Sequence, residues 1–152
     1  PLRCAILISG SGSGMEAMLH HQQSTACLHT TCVVISNKPG VLGLERAKTL
    51  NTPTAVIELP DGLEGNARRL AHELSIEAVL NDYSVELVIL SGYMRLLSPE
   101  FVERWESQVV NIHPHYSRLF LVLMPTEMLL RPVRQSPAVQ STTSMQEWIL
   151  VR

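Results

Sequence analysis

Asn111 and His113 stand two positions apart in Asn111-Ile112-His113-Pro114, directly after Gln108-Val109-Val110, which reads as the end of a buried strand. Alternate residues of a strand share a face, so the amide and the imidazole emerge side by side at the strand's C-terminal edge. In an open α/β sheet that edge is where ligands bind. An amide donor beside an imidazole can stabilise oxygen charge developing at an attacked carbonyl, and the imidazole can also move a proton. A histidine at a strand end is more often structural than catalytic, and the pair alone leaves both readings open. No G-x-S-x-G offers a serine nucleophile, and His20, His21, His29, His72 and His115 show no zinc spacing. The chemistry left is acyl or one-carbon transfer without a protein nucleophile.

A second chemical feature lies near the start. Arg3 to Ser9 is a short, nearly continuous apolar run, and Gly10-Ser11-Gly12-Ser13-Gly14 breaks it. Met15, Met18 and Leu19 then recur at helical spacing, with Ser13 placed as N-cap and Glu16 completing a capping box. A strand, a glycine loop and a helix N-terminus present outward N–H groups and a favourable dipole to a phosphate or carboxylate. The loop lacks the third glycine of G-x-G-x-x-G, where Met15 stands, and the Lys-Ser/Thr of a P-loop. From the glycines alone, a tight turn and a phosphate cradle remain equal alternatives.

Positioning these groups requires a sheet. Thr31 to Ile35 is a second apolar run, closed by the turn Ser36-Asn37-Lys38-Pro39-Gly40 and followed by Leu42, Leu44, Ala47 and Leu50 at helical spacing. Thr54 to Glu58 reads as a third strand, Leu59 to Gly65 as a loop, and Asn66 to Asn81 as a helix with Leu70, Leu74, Ala78 and Leu80 inward. Val85 to Leu90 is the fourth strand, and Ser98-Pro99-Glu100 opens a short helix with proline at its first position. Continuous apolar strands alternating with helices predict an α/β fold with a doubly wound, mostly parallel sheet. Between strand and short helix, Tyr93, Met94, Leu96 and Leu97 could be core, or a wall gripping a flat ring system.

Composition narrows the partners. With 152 residues and 45% apolar content the chain fits one globular domain. A formal charge of −2 without a Lys/Arg run argues against nucleic acid or an anionic membrane as partner and favours small molecules. Cys4, Cys27 and Cys32 lack metal-ligand spacing and suggest reduced thiols in a cytoplasmic protein, Cys4 and Cys32 acting as small hydrophobes within strands. No apolar run approaches the ~18 residues of a membrane span, and no signal-peptide pattern opens the chain.

Taken together, Ile8-Ser9-Gly10-Ser11-Gly12-Ser13, Ser36-Asn37-Lys38, Gly43-Leu44-Glu45-Arg46-Ala47, Gly92-Tyr93-Met94-Arg95-Leu96-Leu97-Ser98 and Asn111-Ile112-His113-Pro114 resemble the phosphoribosylglycinamide formyltransferases of purine biosynthesis, in the expected order over residues 2–114. The resemblance implies a Rossmann-like formyltransferase fold that is C-terminally incomplete, with residues 1–114 as the N-terminal α/β domain. It implies formyl transfer from 10-formyltetrahydrofolate, as co-substrate and without a metal, to the amine of glycinamide ribonucleotide. Gly12, Ser13 and Gly14 would hold the ribonucleotide's phosphate. Arg69 (placed by ungapped alignment), Met94, Arg95, Leu96, Leu97 and Asn111 would bind the folate, while Asn111 and protonated His113 stabilise the oxyanion and a downstream Asp assists proton transfer. Gly14 stands where the family commonly has Asn, a departure expected to loosen phosphate binding. Methionyl-tRNA formyltransferase and formyltetrahydrofolate hydrolase share the His-Pro and the folate chemistry and form an alternative class; a non-catalytic ligand-binding remnant is a third. Oligomeric state is not legible.

From His115 the chain departs from the family, which continues His-Pro-Ser-Leu-Leu-Pro. If one base is missing just after the Pro114 codon, joining the third base of each codon to the first two of the next recovers the original frame. His115-Tyr116-Ser117-Arg118 can then encode Leu-Leu-Pro. Three junctions are forced: Met124-Pro125 gives GCC (Ala), Met145-Gln146 gives GCA (Ala) and Trp148-Ile149 gives GAT (Asp). The last falls where the family carries its catalytic Asp. Residues 115–152 are therefore expected to be an out-of-frame, irregular tail, and the chain to be catalytically impaired.

Overall fold

The computed structural model describes residues 1–112 and the backbone of Ile149–Leu150. β1 (Leu2–Ile8), β2 (His29–Ser36), β3 (Thr54–Val56), β4 (Leu87–Ser91) and β5 (Val109–Ile112) form a parallel sheet, and β6 (Ile149–Leu150) joins β5 antiparallel. The strand order is β3-β2-β1-β4-β5-β6, so the winding reverses between β1 and β4. The expected doubly wound sheet is observed.

Both faces of the sheet are covered, which explains the unbroken apolar runs. Along β1, Cys4, Ile6 and Ile8 face one layer with Met15, Met18 and Leu19 of α1 (Ser13–Ser24) and Ala47 of α2 (Leu42–Thr49). Ala5 and Leu7 face the other with Ile76 and Leu80 of α3 (Gly65–Asp82) and Phe101 of α4 (Pro99–Arg104). Parallel strands so sandwiched have no polar face to show.

Two local expectations are corrected. Ser13 is the first helical residue rather than the cap, because Gly12 takes the left-handed conformation (φ 65°) and starts α1 one residue earlier with no side-chain cap. Glu16 does not close a capping box; its Oε2 pairs with Arg46 Nε at 2.9 Å. In α3, Leu74 and Ala78 are exposed and Leu70 is half-buried, while His72, Glu73, Ile76 and Leu80 face the sheet. The apolar set Leu70/Leu74/Ala78 is two residues out of step with His72/Ile76/Leu80, about 200° around the helix. Tertiary partners decide between them: His72 Nε2 donates to Ile57 O (2.7 Å), and Glu73 Oε2 accepts from Ser98 N–H (2.8 Å). The α4 expectation holds, with Ser98 as cap accepting from Phe101 N–H (3.1 Å) and Pro99 opening the helix.

His113 lies outside the described residues. So does most of the segment expected to be irregular, residues 115–152; the two-residue β6 falls inside that segment.

Candidate active site

The C-terminal edge of β1 and β4, where the strand order reverses, holds a cleft of about 110 Å³ lined by Gly10 to Gly14, Ser91, Gly92 and Ile112. Its first wall is the glycine loop. A Cβ on Gly12 would lie 2.8 Å from Met15 Cε and 2.9 Å from Gly43 Cα, in a conformation only glycine adopts cheaply. The loop is buttressed from α2: Gly43 N–H donates to Gly10 O (3.0 Å), and Arg46 Nη1 donates to Ser11 O (2.9 Å). The first intrahelical bond runs from Glu16 N–H to Gly12 O (2.8 Å), so the N–H groups of Ser13, Gly14 and Met15 precede it and have no partner within the helix. Three free donors at a positive helix end form a site for an anion. This favours the cradle over the bare turn.

The opposite wall comes from β4 and β5. Ser91 ends β4 beside Ile112, and Gly92 turns the chain at φ 64°. Asn111, opposite Leu90 in the register, is half-buried near the end of β5. The structure thus brings the glycine loop and the end of β5 to one crevice.

The segment after Gly92 does not behave as core. Met94 is 77% and Leu96 83% exposed, while Tyr93, Arg95 and Leu97 are half-buried. Packing therefore does not explain Met94 and Leu96, and the wall reading gains. Burial pushes the Tyr93 hydroxyl up to about 12, with Arg95 opposing and Glu73 adding to the shift. Arg69, on α3, donates from Nη2 to Asn66 Oδ1 (2.8 Å), and its Nε is buried without a partner among the described residues. Arg69 and Met94 to Leu97 are not among the residues lining the cleft.

Sequence reasoning passed over four residues that shape this site: Ser9, Asn37, Arg46 and Glu73. Ser9 Oγ donates to Asn37 Oδ1 (2.6 Å) and accepts from Met94 N–H (2.9 Å). Its signal was present, since Ser9 and Asn37 each follow an apolar strand. Glu73 gave a weaker one, a carboxylate three residues from Ile76 on the same helical face.

A family model described as "Formyl transferase" matches residues 2–117. The chain belongs to the formyl transferase family. Among proteins similar to this formyl transferase, "Phosphoribosylglycinamide formyltransferase" of Escherichia coli is 35% identical over 115 residues, covering 74% of this chain and 51% of the relative. "Trifunctional purine biosynthetic protein adenosine-3" of Gallus gallus is 37% identical over 113 residues, again 74% of this chain but 11% of the relative. The crystal structure of phosphoribosylglycinamide formyltransferase from Brucella melitensis superposes with a TM-score of 0.68 at 35% identity, covering 74% of this chain and 56% of that one. The formyl transferase chain thus spans about half the length of these bacterial relatives and a small part of the trifunctional protein. Among its described residues, no His/Cys/Asp/Glu group could hold a metal ion, and no helix is long and apolar enough to cross a membrane.

Proposed function

We propose that the chain carries the substrate-holding half of a phosphoribosylglycinamide formyltransferase, which moves the formyl group of 10-formyltetrahydrofolate onto the amine of glycinamide ribonucleotide in purine biosynthesis. The observation that carries this reading is the crevice at the β1/β4 reversal, in which a helix N-terminus with free N–H groups faces the end of β5. Gly12, Ser13 and Gly14 hold the phosphate there. Arg69 and the ledge Met94, Arg95, Leu96 and Leu97 take the folate, supported by the exposure of Met94 and Leu96. The amine attacks the formyl carbon, the bond from that carbon to the folate nitrogen breaks, and a proton passes from amine to folate. Asn111 and protonated His113 stabilise the oxyanion formed on the way. Loss of one such donor typically costs ~10²–10³ in rate. Cytoplasmic location follows from the same reading.

Residues 115–152 we take as an out-of-frame tail, so that the acidic proton-transfer group is missing and turnover is impaired. The family match ending at residue 117 supports this. Binding of glycinamide ribonucleotide and formyl transfer to it, measured on the same protein, test the reading. Binding with strongly reduced transfer is expected. Failure to bind the ribonucleotide, or transfer to an initiator tRNA instead, overturns it. For the tail, one base added after the Pro114 codon should restore Ser-Leu-Leu-Pro and the Asp, and a gene in which it does not refutes the frame argument.

A further inference from the structure

We propose that Ser9 and Glu73 are positioning residues for the folate side of the site: two buried side chains that clamp the two ends of the exposed ledge between Met94 and Leu97. The proposal rests on the reading above, in which that ledge takes the folate.

A segment that shows Met94 and Leu96 to solvent, 77% and 83% exposed, gains little shape from burial of its own side chains. Its backbone must be held in another way. At the leading end, Met94 N–H donates to Ser9 Oγ at 2.9 Å. The Ser9 hydroxyl hydrogen is already given to Asn37 Oδ1 at 2.6 Å, so a lone pair of Ser9 is what faces Met94. Ser9 and Asn37 are 5% and 8% exposed, and no water competes freely for these bonds. At the trailing end, Ser98 N–H donates to Glu73 Oε2 at 2.8 Å while Ser98 Oγ caps α4 through Phe101 N–H at 3.1 Å. Ser98 is thereby fixed from both sides.

Glu73 is an expensive way to make one hydrogen bond. It is 2% exposed, and its Oε1 is buried without a partner among the described residues. An apolar side chain of similar volume would spare the helix a buried carboxylate with an unsatisfied oxygen. Its retention is explained if the Ser98 N–H must be held in place, since sites of function are where such local rules are broken.

The test compares two affinities in the full chain by calorimetry, one for glycinamide ribonucleotide and one for a formylated dideazafolate, a stable folate analogue. Ser9→Ala and Glu73→Met each remove one acceptor and should weaken the dideazafolate about five- to tenfold, the worth of one buried hydrogen bond, with ribonucleotide affinity within about twofold of the parent. Ser9→Thr and Glu73→Gln keep an acceptor and should restore most of the loss. Glu73→Met also separates affinity from folding, because its midpoint of unfolding should not fall in proportion. Gln22→Ala, which removes hydrogen bonds to Thr31 N–H and His29 at the far edge of the sheet, should change neither affinity. If the clamp variants lose both affinities together, or lose neither, the proposal is overturned. A parent chain that binds the ribonucleotide but not the dideazafolate overturns the assignment of the ledge to folate.

Discussion

Gly43→Ala tests whether α2 is the mould for the glycine loop. A Cβ built on Gly43 runs into Ile8 Cδ1, lies 2.8 Å from Gly10 O and 3.3 Å from Gly12 Cα. The Ile8 side chain can turn away. Gly10 O cannot, because it is loop backbone and accepts from Gly43 N–H at 3.0 Å. Relief requires α2 and the loop to separate, and overpacking of this kind typically costs about 1–3 kcal/mol. Taking about 2 kcal/mol and a urea dependence of about 2 kcal/mol per M, the unfolding midpoint should fall by roughly 1 M. Gly10→Ala is the matched control on the same loop: its Cβ meets nothing within 4 Å and its φ is not in the left-handed region. It should be neutral or stabilise by up to ~1 kcal/mol through the unfolded chain. Urea unfolding followed by far-ultraviolet circular dichroism measures both. Equal midpoints for Gly43→Ala and the parent, or an equal loss for Gly10→Ala, would refute the buttress.

Three further outcomes follow from particular residues. Ser84 sits just past α3 at φ 52°, where glycine relieves left-handed strain, so Ser84→Gly should raise the thermal midpoint, by about 0.5–1 kcal/mol in stability. The His29 pKa is lowered, first by burial and then by the charge of neighbouring His21; Gln22 Oε1 accepts from Thr31 N–H, so its Nε2 must donate to His29 Nδ1 (2.8 Å), which needs the neutral ring. The unfolded chain therefore binds the proton more readily, and stability should fall as pH drops below about 6.5 and be recovered above it, a slope that His29→Asn should flatten in urea titrations at several pH values. Burial pushes the Cys4 thiol up to about 12, aided by Cys32 and Glu86; iodoacetamide at pH 8 should alkylate the part-exposed Cys27 in the native protein and reach Cys4 only after denaturation, as peptide mass mapping would show.

What the sequence made legible follows from how local each cause is. Strands covered on both faces announce themselves by unbroken apolar runs, and the observed β1, β2 and β4 lie within a residue or two of Arg3 to Ser9, Thr31 to Ile35 and Val85 to Leu90. Ser98-Pro99 marked the start of α4 because cap and proline chemistry act within one turn. Ser13 was misassigned although Ser-x-x-Glu fits a capping box, because Gly12 can enter the left-handed region and Glu16 found a partner on another helix. The inner face of α3 was misassigned for a similar reason. Leu70, Leu74 and Ala78 satisfy helical spacing as well as Ile76 and Leu80 do, and the choice was made by Ser98 N–H and Ile57 O, which no window of local sequence contains.

The five motifs that first suggested a family turn out to be one set of contacts converging on the end of β1. Ser9 joins the first motif to the second through Asn37 and to the fourth through Met94. Gly10 and Ser11 join it to the third through Gly43 N–H and Arg46 Nη1. Ladder pairing of Leu90 with Asn111 and Ser91 with Ile112 then brings the fifth motif to the root of the fourth. Four of these residues, Ser9, Gly43, Arg46 and Asn37, touch no ligand in the proposed chemistry. Their order along the chain is fixed because each sits at the C-terminal end of a strand or the first turns of the helix after it, and a parallel sheet brings those ends to one edge. Motif specificity in this chain is thus largely a record of how the loops hold one another, with the reacting groups a minority of it. Fold and loop scaffold can therefore persist in residues 1–112 whatever follows Pro114, because each of these contacts closes within them.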